Sequence, residues 1–210
     1  MESPQEHLSQ RPSGYSDRAS LEDNVLQPGS YDGGQDTADS IGNLSDFEEI
    51  YFETLPGVGP NNYIDAAIAV SSEELLNNAT PDDGYRLPRS TPIDEAIGMK
   101  VMKYGRTTGL TNGKIDSINA TVRVGYDQGV AIFRDQIIIT PGKFSADGDS
   151  GSLIVVNDVT TVGKGKNATV IEGPDHRKPV GLLFAGSNVV TIGNRIQYVL
   201  DSFGVTIDGE

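Results

Sequence analysis

Phe144-Ser145-Ala146-Asp147-Gly148-Asp149-Ser150-Gly151-Ser152-Leu153-Ile154-Val155-Val156 sets a serine between glycines and runs at once into an apolar, β-branched strand. Gly148 permits a sharp turn with its N–H outward, so that this amide and that of Ser150 can face one point. Two converging backbone donors there would stabilise the oxyanion of a tetrahedral intermediate. The strand after Ser152 would anchor the turn to a sheet. The same residues also suit a plain polar β-turn between two strands. A calcium loop is excluded, because the fifth and sixth positions of the EF-hand pattern would fall on Gly151 and Ser152.

Two further stretches bear on the choice. Tyr63-Ile64-Asp65-Ala66-Ala67-Ile68-Ala69-Val70 puts an aspartate at the head of a short apolar strand, where an unpaired charge would be costly to bury. An aspartate closing a turn before a strand reads the same way. Pro179-Val180-Gly181-Leu182-Leu183-Phe184-Ala185-Gly186-Ser187 is a strand that ends on a glycine. It reads as a buried core strand, as an edge that a second backbone can approach at Gly186, or as both.

Taken together, these segments resemble the trypsin-like (chymotrypsin-fold) serine proteases, and within them the bacterial and plant narrow-leaf-type members. Gly148-Asp149-Ser150-Gly151-Ser152 matches the signature around the nucleophile, and the order Asp65, Ser150, Gly186 is the family's order. Asp32-Gly33-Gly34, Gly105-Arg106-Thr107-Thr108-Gly109 and Thr191-Ile192-Gly193-Asn194 match the narrower group, so the likeness runs from about Arg18 to Val205.

The resemblance implies an all-β, chymotrypsin-like double β-barrel that ends in a helix. It implies Ser150 as nucleophile, Asp65 as the triad aspartate, and the Gly148 and Ser150 N–H groups as the oxyanion hole. Asp149 would fix that loop by pairing internally. Substrate would lie along Ala185 and Gly186. Phe144, six residues before the serine, would line the specificity pocket and favour a small or aliphatic residue over a basic one.

What the pattern lacks is an evident histidine, because serine alone is a poor nucleophile near neutral pH. The chain holds two, His7 and His176. His7 precedes Asp65, as the family order requires, but only six polar residues come before it. His176 follows the serine, in Gly173-Pro174-Asp175-His176-Arg177-Lys178, and reads as a solvated turn residue. The expected function is therefore a serine-type endopeptidase, crippled in this chain for want of its base, with His7 as the candidate. The alternative is a non-catalytic module that binds peptides without cutting them. A fragment or remnant of a longer protease accounts for an incomplete first barrel, which a partner chain could also complete.

Composition sets the outer bounds. Net charge is −14, and the acidic excess lies in residues 1–95, which argues against a nucleic-acid partner and leaves a peptide or protein substrate. No apolar run reaches the roughly 18 residues of a membrane span. There is no cysteine and no visible signal peptide, which favours a reducing, cytoplasmic setting. Neither a cofactor nor a metal motif is found. Gly163-Lys164-Gly165-Lys166-Asn167 lacks the spacing of a phosphate-binding loop.

Residues 1–24 read as a loosely attached segment, 25–92 as a partial first barrel carrying Asp65, and 93–210 as a second barrel carrying Ser150. Strands are expected at Ile50–Phe52, Asp65–Val70, Met99–Tyr104, Gly113–Tyr126, Ala131–Thr140, Ser152–Val156, Thr169–Glu172 and Val180–Ala185. A short helix is expected from Ser71 to Leu76 on its capping-box pattern, and a terminal one over Asn194–Phe203, stopped by Gly204.

Overall fold

Alternating and apolar runs become strands almost wherever the sequence places them. The computed structural model describes residues 19–164 and 168–210. In chain order the strands are β1 (Asn24–Leu26), β2 (Ser40–Phe47), β3 (Asn61–Asn62), β4 (Ala67–Val70), β5 (Lys100–Gly105), β6 (Gly109–Tyr126), β7 (Gly129–Thr140), β8 (Leu153–Val156), β9 (Val159–Val162), β10 (Thr169–Glu172), β11 (Pro179–Gly186) and β12 (Thr191–Arg195). One α-helix, α1 (Ile196–Phe203), follows. Among the described residues no helix is long and apolar enough to cross a membrane.

The larger sheet is ring-like. Its order is β12-β11-β8-β5-β6-β7, and β12 pairs back onto β7 through Thr191↔Ile139, Ile192↔Ile138 and Gly193↔Ile137. Side chains that face inward fill this ring: Val101, Ile115, Ile137, Ile139, Phe144, Ile154, Val180 and Leu183 are all essentially without exposed surface. The fill is tight beside Gly193, where an added Cβ would sit 2.9 Å from Ile154 Cδ1 and push that methyl aside.

The first half of the chain forms a smaller antiparallel sheet, β1-β2-β4, around Ala19, Leu44 and Ala67. Among the described residues this sheet has three strands and stays open. Two-residue β3 leaves it and runs parallel to β7, which couples the two sheets. Helix α1 buries Val199 against Ile64 and Ala66, and Gly204 caps it in the left-handed region at φ 63°, its N–H on Leu200 O.

Two expected elements form only in part. Ser71–Leu76 makes a turn over residues 73–75, with Leu75 N–H on Ser72 O at 3.1 Å. Leu75 is 55 % exposed, so this segment has no buried face to offset the cost of starting a helix. In Ile50–Phe52 only Phe52 pairs, in a single bridge to Ala131. The neighbouring Tyr51 N–H and C=O are taken by the Asn62 carboxamide at 2.8 and 2.9 Å, so no ladder can run through them.

The contact under Gly193 gives a test of the ring's packing. Gly193→Ala should destabilise by about 1–3 kcal/mol through overpacking. Ile154→Val alone should cost about 0.5–1.5 kcal/mol. Because the valine removes the clashing Cδ1, urea unfolding of the double variant should show a loss smaller than the sum of the two.

Candidate active site

The serine loop is held from beneath by a buried ion pair. Lys103, on the same side of β5 as Val101, has no exposed surface, and its Nζ lies 3.0 Å from Asp149 Oδ2. Asp149 also accepts hydrogen bonds from Thr107 N–H (2.9 Å), Thr108 N–H (3.2 Å), Thr108 Oγ1 (2.7 Å) and Ala146 N–H (3.0 Å). Burial pushes the Asp149 carboxyl up, but these donors outweigh it and hold it below the usual carboxylate range. Burial likewise draws the Lys103 ammonium down. Lys103 spends its other donors on Thr108 Oγ1 and Gly109 O.

Around this anchor the chain turns through Gly148 at φ 89° and Gly151 at φ 81°. Thr107 Oγ1 donates to Asp147 O at 2.6 Å, and Ser152 Oγ to Asp149 O at 2.6 Å. Gly151 N–H bonds Leu183 O, and Leu183 N–H returns to Ser152 O, so the loop is stitched to β11. Half-buried Ser150 lies at its crest with Oγ 3.3 Å from Phe184 O. Among the described residues neither Gly148 N–H nor Ser150 N–H has an acceptor. Such a loop offers a hydroxyl beside two unspent amides, which is what an acyl-transfer site requires.

Asp65 is brought into the interior between the sheets, 4 % exposed. Its backbone is fixed by the Asn194 carboxamide, which accepts from Asp65 N–H at 3.1 Å and donates to Asp65 O at 3.0 Å. Its Oδ2 accepts from the Tyr126 phenol at 2.6 Å. Burial raises the carboxyl from its ordinary 3.8 to about 6, and the Tyr126 bond pulls the other way. A packed row of rings leads from this carboxylate towards the serine: Tyr126 on Phe133 at 6.2 Å, and Phe133 on Phe184 at 4.9 Å.

Of the other expected site residues, Ala185 is half-buried and Gly186 exposed at the end of β11, next to the loop, where a Cβ on Gly186 would approach Ser145 Oγ at 3.1 Å. Phe144 is a correction. It has no exposed surface and belongs to the core of the ring, below Gly113 and 6.0 Å from Lys103 Nζ, so it lines no pocket. His176 is another: it is 7 % exposed rather than solvated, and Nε2 faces Glu172 Oε1 at 3.6 Å. Burial lowers its basicity, with Glu172 acting against that. It lies beyond Val156, at the opposite end of β8 from Ser150. His7 lies outside the described residues.

The sequence reading passed over Lys103, Tyr126 and Asn194 as functional groups. Lys103 carried a faint signal, since it shares strand parity with buried Val101. Tyr126 carried none, because its partner is 61 residues away. Among the described residues no group of His, Cys, Asp and Glu could hold a metal ion.

Two outcomes follow from these charges. Lys103→Met strands a buried carboxylate and should lower stability by about 3–5 kcal/mol in urea unfolding, with part of the loss recovered by adding Asp149→Asn. Asp65 behaves oppositely. Its carboxyl holds protons more tightly folded than unfolded, so it lowers stability as pH rises from about 4 through about 6. Asp65→Asn should gain up to about 3 kcal/mol at pH 7 and flatten the profile between those values.

Solved structures share this fold. Cellulomonas bogoriensis chymotrypsin superposes with a TM-score of 0.52 and 19 % identity, over 80 % of this chain and 76 % of that one. A glutamic-acid-specific serine protease gives 0.53 and 19 %, over 84 % and 76 %. Nocardiopsis protease gives 0.50 and 16 %, over 89 % and 88 %. At these identities the likeness establishes a chymotrypsin-like fold. In sequence, Protein NARROW LEAF 1 of Oryza sativa subsp. japonica is 22 % identical over 175 residues, which cover 77 % of this chain and 27 % of the rice protein. The chain thus spans about a quarter of that relative's length. Residues 83–195, from before β5 to the end of β12, match the Nal1 C-terminal domain, and with more than half its length inside that match the chain belongs to the Nal1 C-terminal domain family.

Proposed function

We propose that this chain is a serine-type endopeptidase with Ser150 as nucleophile. The observation that carries the reading is the serine loop itself, with the Gly148 and Ser150 N–H groups left without acceptors among the described residues and a buried Lys103–Asp149 pair fixing the turn between them. In this reading Ser150 Oγ attacks the scissile carbonyl, the two amides hold the oxyanion, and the hydroxyl proton passes to a histidine that later gives it to the leaving amine. Water then hydrolyses the acyl-enzyme. His176, buried at the far end of β8, is poorly placed for this, which leaves His7 as the base and Asp65 as the group that orients it. A peptide substrate would pair along Ala185 and Gly186, and its side chain would meet Ser145 rather than Phe144. The structural neighbours' description as serine proteases supports the same reading.

A specific observation favours the second reading, a module that binds peptides without cutting them. Burial raises the Asp65 carboxyl to about 6, unfavourable for a group that must stay ionised beside an imidazole.

Fluorophosphonate labelling of the purified chain separates the two. Peptidase chemistry predicts labelling of the wild type, none in Ser150→Ala, and a rate lower by about 10³-fold or more in His7→Ala. A folded wild type that binds peptides but is never labelled would establish the binding module.

A further inference from the structure

We propose that Tyr126 is a positioning residue of this site: the β6–β7 arm delivers its phenol to Asp65 and thereby fixes the rotation and charge of that carboxylate. The inference rests on reading Ser150 and Asp65 as parts of one catalytic site.

The arm begins with a mismatch in length. β6 runs for 18 residues where its neighbour β5 has 6, so beyond the ring β6 and β7 continue as a ribbon closed by Asp127-Gln128, with only the two-residue strand β3 paired beside it. Such a ribbon is marginal unless something holds it. Here it is fastened along its length to the segment that leads to Asp65. Asn61–Asn62 pair with Ile132–Phe133, Asn62 Nδ2 donates to Ile132 O at 3.0 Å, and Glu53 N–H bonds Val130 O at 2.7 Å. Arg123 closes a two-pronged bridge to Glu53 at 2.6 and 2.7 Å, and the Glu53 side chain is only 6 % exposed. The position of the tip is therefore built in.

At that tip the Tyr126 ring is caught edge-on by Phe52 at 5.9 Å and tilted against Phe133 at 6.2 Å, and its hydroxyl reaches Asp65 Oδ2 at 2.6 Å. A short O–H···O bond to a carboxylate is among the stronger hydrogen bonds and fixes the plane of the acceptor. An aspartate that orients a histidine must be ionised and must not rotate. Burial works against the first requirement at Asp65, and the phenol opposes burial. The backbone of Asp65 is held separately by Asn194, so losing the phenol removes one constraint on the carboxylate without releasing the strand. From Tyr126 the row of Phe133 and Phe184 leads to the residue whose carbonyl lies 3.3 Å from Ser150 Oγ.

The test is fluorophosphonate labelling of Tyr126→Phe, which keeps the ring and removes only the hydroxyl. The maximal inactivation rate should fall about 10- to 100-fold, while the half-saturating probe concentration and the final labelled fraction stay at wild-type values. A downfield phenol proton in the wild-type NMR spectrum should vanish in Tyr126→Phe and move in Asp65→Asn. A rate within twofold of wild type overturns the positioning role and leaves the peptidase reading intact. A fall confined to the labelled fraction, at unchanged rate per competent site, marks a merely structural role and also overturns it. An unlabelled wild type overturns the peptidase reading, and the positioning role with it.

Discussion

A buried ammonium and a buried carboxylate meet at 3.0 Å between β5 and the serine loop, and the geometry of the site depends on that meeting. Each charge costs several kcal/mol to remove from water, and their attraction alone does not repay this. The balance is restored by hydrogen bonds. Asp149 takes donors from Thr107, Thr108 and Ala146 as well as Lys103, and Lys103 gives to Thr108 and Gly109. These partners come from two stretches about forty residues apart, so they can be satisfied together in only one arrangement of the loop. The pair thus contributes position more than stability. Its neighbours have adapted to it: Gly105 has no room for a side chain because Asp149 Oδ1 occupies that space.

The second constraint is the arm. A chymotrypsin-like architecture places candidate groups on two sheets, and something must fix one sheet against the other. In this chain the extended β6–β7 ribbon does so through β3, Phe52, the Arg123–Glu53 bridge and the Tyr126–Asp65 bond. Asn194, at the end of β12, makes a parallel connection to the Asp65 backbone. Asp65 therefore belongs to the first sheet by sequence, but its carboxylate is positioned from the second.

Two residues show how tertiary packing overrides what their place along the chain suggests. Phe144 stands six before the serine, yet the 3-10 turn at Gly142–Phe144 turns its ring into the apolar interior, where burying an aromatic ring gains about 1.5–3 kcal/mol. Half-buried Ser145 then shares a hydrogen bond with the hydroxyl of buried Thr191 at 2.6 Å. His176 lies in a polar hexapeptide that reads as exposed. The turn folds back on the end of β8, with Arg177 N–H on Val156 O, and this buries the imidazole.

Much was legible in the chain itself. Period-two alternation and β-branched runs located β6, β7, β8, β10 and β11, and the spacing of Ile196, Val199 and Leu200 before Gly204 located α1, because local sterics and the burial of one face act over a few residues. The serine loop was legible for the same reason, its glycines being needed where φ is positive. Tertiary structure alone decided which side chains meet across long separations. That Lys103 supports Asp149, that Tyr126 reaches Asp65 and that Phe144 turns inward all follow from strand register and the coupling of two sheets, and no local pattern carries that information.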